Sequence, residues 1–217
     1  AEAAPLLEEA LRENPRNPDT WARAANAYLE AGLPDEAARV ADEGMLLFPG
    51  QFPLLRVMAH SLLATEQDDE AIERFEDLLT LLNDDYPEAV AERAETLAAL
   101  GLLFSRRNET DAADAYYAQA LDADPDNARA LSTYAYGLAL REDHLARALD
   151  MARRAVDLDP ENPAYLDTLG WVYFKLNRLD EAQTRIGEAL EKGGASAAIF
   201  EHYGDVQAQL GDWETAR

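Results

Sequence analysis

The stretch Trp21-Ala22-Arg23-Ala24-Ala25-Asn26-Ala27-Tyr28, then Gly32-Leu33-Pro34, then Ala37, Ala41, Gly44 and Pro49, decides the fold. An aromatic residue is followed four on by a small one and three further on by a second aromatic. All lie on one face of a helix. The Gly-Leu-Pro turn then opens a second helix, and Pro49 ends it. The ending recurs. Pro15, Pro49, Pro125 and Pro160 each follow an alanine or glycine by five residues (Ala10, Gly44, Ala120, Ala155). Pro15 to Pro49 spans 34 residues and Pro125 to Pro160 spans 35. A fixed period in this range predicts a solenoid of helix pairs. Small residues belong where the helices of a pair cross closely, and larger apolar ones fill the space beside them.

The same template fits residues 52–85 through Leu55, Ala59, Leu62, Ala71, Phe75 and Leu78. It fits residues 94–127 through Leu97, Gly101, Phe104, Ala113, Tyr117, Ala120 and Pro125. Residues 128–162 give Leu131, Ala135, Leu138, Ala148, Ala152 and Ala155, with one extra residue near Asp143. Residues 163–196 give Leu166, Gly170, Tyr173, Ala182, Ile186 and Ala189. Residues 1–17 and 197–217 match only parts of the unit, so the chain is expected to be a piece of a longer array, or a mature or trimmed protein. An insertion at residues 86–93 lies in a stretch where Asn83 to Pro125 spans 42 residues, about eight more than one repeat. With Pro87 in its first turn, the helix there is expected to be about two turns longer than its counterparts.

These residues resemble the tetratricopeptide repeat (TPR) motif, W-x2-L-G-x2-Y…A-x3-F…P. The resemblance covers essentially the whole chain. It implies an all-α fold, an α-α superhelix of antiparallel helix pairs, with residues 1–217 forming a single solenoid. The stretch Asp167 to Lys175 with Leu179-Asp180-Glu181-Ala182 is similar to the terminal repeats of long bacterial TPR proteins, several of them associated with the cell envelope. Bacterial cytoplasm and periplasm or envelope both stay open.

Composition excludes several functions. The formal charge is −24, from 43 acidic and 19 basic residues, with Lys175 and Lys192 the only lysines. Such a surface cannot neutralise phosphates, so nucleic acid is not an expected partner. Anionic membrane is equally disfavoured, and no apolar run is long enough to insert. The Asp-rich, Lys-poor balance fits a salt-loving source and fits equally a GC-rich genome with an acidic surface. Cysteine is absent, which rules out disulfides and thiolate metal sites. His60, His144 and His202 fall in different repeats without a second ligand at metal spacing. The run Asp122 to Asn127 lacks the glycine and closing glutamate of a calcium loop, and reads as an inter-repeat turn in which Asp126 or Asn127 caps the next helix. No phosphate loop or nucleophile elbow occurs. No enzyme, cofactor or metal is therefore expected.

The resemblance implies that the first helix of each repeat lines a concave, peptide-binding groove. Its expected contact residues are Arg56, His60, Leu63, Leu102, Arg106, Arg129, Tyr136, Leu140, Trp171, Phe174 and Lys175. Of the family's clamp for the C-terminal carboxylate of heat-shock chaperones only Asn26 is present. Ala22, His60, Glu95 and Ala99 depart from it, which argues against that activity. Tyr136, Leu140, Trp171, Phe174 and Leu102 instead place large apolar groups on the groove face, or else pack between neighbouring first helices. The expected function is a non-catalytic scaffold for a protein or peptide partner. The alternatives are the recruiting or regulatory arm of a larger enzyme, and a self-assembling module joined through its incomplete terminal repeats.

Overall fold

The computed structural model describes residues 11, 14–82, 89–194 and 196–211. Most of the half repeat at 1–17, with Leu7 and Ala10, and Asn83, Pro87 and Ala216 lie outside the described residues. Contacts divide the chain into two compact units, Ala1–Glu92 and Arg93–Arg217.

The described residues of the first unit form four full helices: α1 (Pro18–Glu30), α2 (Pro34–Leu47), α3 (Phe52–Ala64) and α4 (Asp68–Leu81). Each packs on the next, and α1 also packs on α3. Its core is Trp21, Ala24, Ala25, Tyr28, Ala37, Val40, Ala41, Leu54 and Val57. Helix α5 (Ala89–Arg106) starts at the boundary and lies mostly in the second unit. Its 18 residues exceed the 13 of α1 and α3 by five, about one and a half turns. The second unit continues with α6 (Thr110–Ala123), α7 (Ala128–Leu140), α8 (Leu145–Leu158), α9 (Pro163–Lys175), α10 (Leu179–Glu191) and α11 (Ala197–Leu210). From α6 onward each helix touches its successor, α7 also touches α9, and α9 touches α11. One continuous core runs from Ala113 and Tyr117 to Ile199 and Val206.

Local chemistry sets the helix ends. Asn17, Asn127 and Asn162 accept backbone N–H bonds at the starts of α1, α7 and α9, and Ser196 does so at the start of α11. After each first helix the chain reverses through a left-handed residue: Gly32, Glu66, Asn108, Glu142 and Asn177. At each, a six-residue loop closes back on the helix, as in Leu33 N–H to Tyr28 C=O and Asp143 N–H to Leu138 C=O. This is the Schellman ending, which favours glycine or asparagine. Glu66 and Glu142 therefore hold conformations that their side chains disfavour.

Close helix approach depends on missing side chains. A Cβ on Gly170 would lie 2.4 Å from Ile186 Cγ1 and 3.2 Å from the Ala182 carbonyl oxygen. A Cβ on Gly101 would lie 2.7 Å from the Tyr117 ring. Ala135, Ala182 and Ala189 are fully buried. Gly170→Ala should therefore lower stability by roughly 1–3 kcal/mol through overpacking, measured by urea denaturation. Glu142→Gly should raise it by about 0.5–1 kcal/mol, because glycine tolerates the positive φ. Unchanged midpoints for both variants would contradict this geometry.

Candidate functional site

The residues expected to line a groove fall in both units. In the first, Arg56 donates to Asn26 Oδ1 at 3.4 Å. It borders an open cleft of about 710 Å³ that also exposes Asp19, Arg23 and Glu30. His60 meets Phe75 edge-on, with ring centroids 5.1 Å apart, and Leu63 is half-buried.

In the second unit the first helices α7, α9 and α11 bring their rings together. Trp171 stacks on Phe174 at 4.9 Å and 16°. It also stacks on His202 of α11 at 4.1 Å and 19°. Tyr136 of α7 reaches the same histidine, with centroids 5.8 Å apart. Tyr136 and Trp171 occupy equivalent places in successive repeats, and His202 is the ring that both of them touch. Trp171 is only 7% exposed. Its ring is therefore part of the packing between first helices rather than a wet anchor. Tyr136 and Phe174 are half-buried, and Leu140 is 51% exposed. Lys175 Nζ sits 5.1 Å from the indole centroid and bonds Glu142 at 3.1 Å. Leu102 is half-buried, Arg106 is exposed, and Arg129 pairs with Glu95 at 3.2 Å.

Polar groups fix this cluster. His202 Nδ1 lies 3.0 and 2.9 Å from the two oxygens of Asp167, and both residues are buried. With the proton on Nδ1 donated to the carboxylate, Nε2 can accept from the Tyr136 hydroxyl 3.5 Å away. Beside it Ser132 and Thr168 share a buried hydroxyl bond of 3.1 Å. The Tyr136 phenol is raised from its ordinary pKa, first by burial and then by the charges of Asp167 and Glu201. The phenol is thus neutral and a donor at physiological pH. Among the described residues no cluster of His, Asp or Glu could hold a metal.

His202 was not identified by sequence reasoning, which treated it as an isolated histidine. The usable signal was its distance from Asp167, 35 residues, one repeat plus one position.

Models of the tetratricopeptide repeat match residues 1–60 and 139–210, and a second one matches residues 96–131. The chain belongs to the tetratricopeptide repeat family. A curated relative is the TPR repeat-containing protein PA4667 of Pseudomonas aeruginosa, 28% identical over 171 residues. That alignment covers 78% of this chain and 28% of the relative. The solved structure of the APC/C hetero-tetramer Cut9–Hcn1 matches with a TM-score of 0.84 at 17% identity, over 97% of this chain and 40% of the other. The structure of YrrB, described as a TPR protein with an unusual peptide-binding site, matches with a TM-score of 0.53 at 18% identity, over 89% of this chain and 95% of the other. The TPR chain thus spans well under two thirds of the first two, and the two structures support the fold alone. Among the described residues no helix is long and apolar enough to cross a membrane. The family's fold serves protein–protein interaction.

The Asp167–His202 pair makes a specific demand on stability. Asp167→Ala strips the imidazole of both acceptors and should cost about 2 kcal/mol in chemical denaturation. His202→Phe keeps the stack on Trp171 but strands the Asp167 carboxylate, and should cost at least as much. A loss below about 0.5 kcal/mol for both would place the pair outside the folded core.

Proposed function

We propose that this TPR chain is a non-catalytic scaffold that holds an extended segment of another protein. The segment lies along the first-helix face of the second unit, between Leu102 and Lys175. The carrying observation is the group of exposed and half-buried apolar residues on α7 and α9, Leu140, Tyr136 and Phe174, the last two in contact with the buried Trp171–His202 stack. Partly exposed aromatic and aliphatic groups on a rigid base suit binding anchors, because little side-chain freedom is lost on contact. Arg106 of α5 and Arg129 of α7 would contribute from the neighbouring first helices. Arg56, His60 and Leu63 would act on the corresponding face of the first unit. The single 1–217 solenoid, with its first full repeat at residues 18–51 and the other repeat limits given above, belongs to the same proposal. The peptide-binding site named for YrrB makes groove binding a reasonable use of such a fold.

The test is capture of a partner from cells of the source organism. Leu140→Glu alters an exposed position, so its melting temperature should stay within about 2 °C of the parent. Captured partner should fall about tenfold or more, the usual consequence of losing a central contact. Full capture by an intact Leu140→Glu variant would refute the groove.

A second reading is self-association, favoured by Phe200 of α11, which is 57% exposed. Light scattering over a concentration range would show a dimer that Phe200→Lys abolishes. A concentration-independent monomer would exclude it.

A further inference from the structure

We infer that Trp171, with Tyr136 and His202 beside it, forms a receptor for one main-chain carbonyl of an extended, cationic partner segment. This rests on the groove reading above and assigns the chemistry of its centre.

The first observation is an unused donor. The Trp171 indole N–H is buried and has no acceptor among the described residues. A buried N–H without an acceptor is costly and uncommon, so it calls for an explanation. The ring is not free to turn toward an acceptor elsewhere. His202 stacks on it at 4.1 Å and is itself held by both oxygens of Asp167. The donor is therefore held in place before any ligand arrives, which lowers the entropic cost of binding.

The second observation is what lies over the ring. Phe174 and Lys175 are partly exposed and lie against the indole. The bond between Lys175 and the largely exposed Glu142 is of the weak, solvent-screened kind. A partner that displaces these two side chains would reach the indole edge while the Asp167–His202 pair stays in place.

The third is charge. Glu201 and Asp205 stand exposed one turn apart on α11, and neither has an ion-pair partner among the described residues. Asp167 adds to the negative field around the rings, while Glu142 is offset by Lys175, whose ammonium lies 5.1 Å from the indole centroid. The surplus of carboxylates over the single ammonium disfavours a carboxylate acceptor and favours a neutral one. Extended backbone offers such a carbonyl at every residue. Cationic side chains on the same segment would face Glu201 and Asp205 and speed its arrival.

The probes are two capped peptides, one of alternating Leu and Arg and one of alternating Leu and Glu, titrated into the ¹⁵N-labelled full chain. The indole signal of Trp171 is assigned by its loss in Trp171→Phe. The Leu–Arg peptide should move that signal downfield, and the Leu–Glu peptide should leave it in place. Trp171→Phe keeps an aromatic ring in the stack and should weaken Leu–Arg binding about tenfold or more. Glu201→Gln with Asp205→Asn, both exposed, should weaken it several-fold and flatten its salt dependence with the fold intact. Binding of the Leu–Arg peptide with the Trp171 signal unmoved would overturn the carbonyl receptor and leave the groove reading standing, provided signals of Leu140 shift. Equal binding of both peptides would overturn the cationic assignment. No shift at any residue of α7, α9 or α11 would sink this inference together with the groove.

Discussion

Close approach between the two helices of a hairpin is the constraint on which this structure depends. Gly170 meets Ile186 and the Ala182 carbonyl at distances that leave no space for a methyl group. Gly101 meets the Tyr117 ring in the same way. A hairpin this tight presents a constant thickness to the next one, and the repeat length follows from it. Within the second unit, first helix therefore stacks on first helix at a fixed step. Residues about one repeat apart in sequence become neighbours, as Ser132 and Thr168 do, and Asp167 and His202. The candidate site is a consequence of helix packing, and no loop is needed to build it.

Charge is distributed by the same step. Several basic residues of the second unit are engaged across repeats: Arg129 with Glu95, Arg154 with Asp126, Lys175 with Glu142 and Lys192 with Glu161. Each such exposed pair contributes little stability. Their effect is to leave the surplus carboxylates, Glu201 and Asp205 among them, as the unneutralised surface. A surface carrying −24 in this form repels acidic partners, and its field is screened as salt rises.

Much of the helical architecture was legible in the sequence, because its cause is periodic. Prolines and small residues at a near-constant interval encode stops and crossings, and these are backbone-level facts. The cap of α7 was legible to within two residues, Asp126 or Asn127, and it is Asn127 that accepts the backbone N–H. The left-handed turns at Glu66 and Glu142 were not, because their residues carry no turn preference and only the surrounding hairpin imposes the conformation. The site was legible in part. Tyr136 and Trp171 share a repeat position, which placed them on one face. That Trp171 is buried and His202 lies between them depends on how one first helix is offset against the next. Single-repeat patterns do not carry that offset. His202 looked isolated because its partner, Asp167, lies one repeat plus one position away.

The central claim is that partner contact occurs on the first helices of the second unit, and site-specific photo-crosslinking in cells of the source organism tests it most directly. A photoreactive residue replaces Leu140 on α7 in one strain and Arg154 on α8 in another, both exposed positions of the same hairpin. The account predicts a crosslinked partner from position 140 that disappears when Glu201 and Asp205 are neutralised, and none from position 154. A crosslink to the same partner from position 154, with position 140 silent, would contradict it.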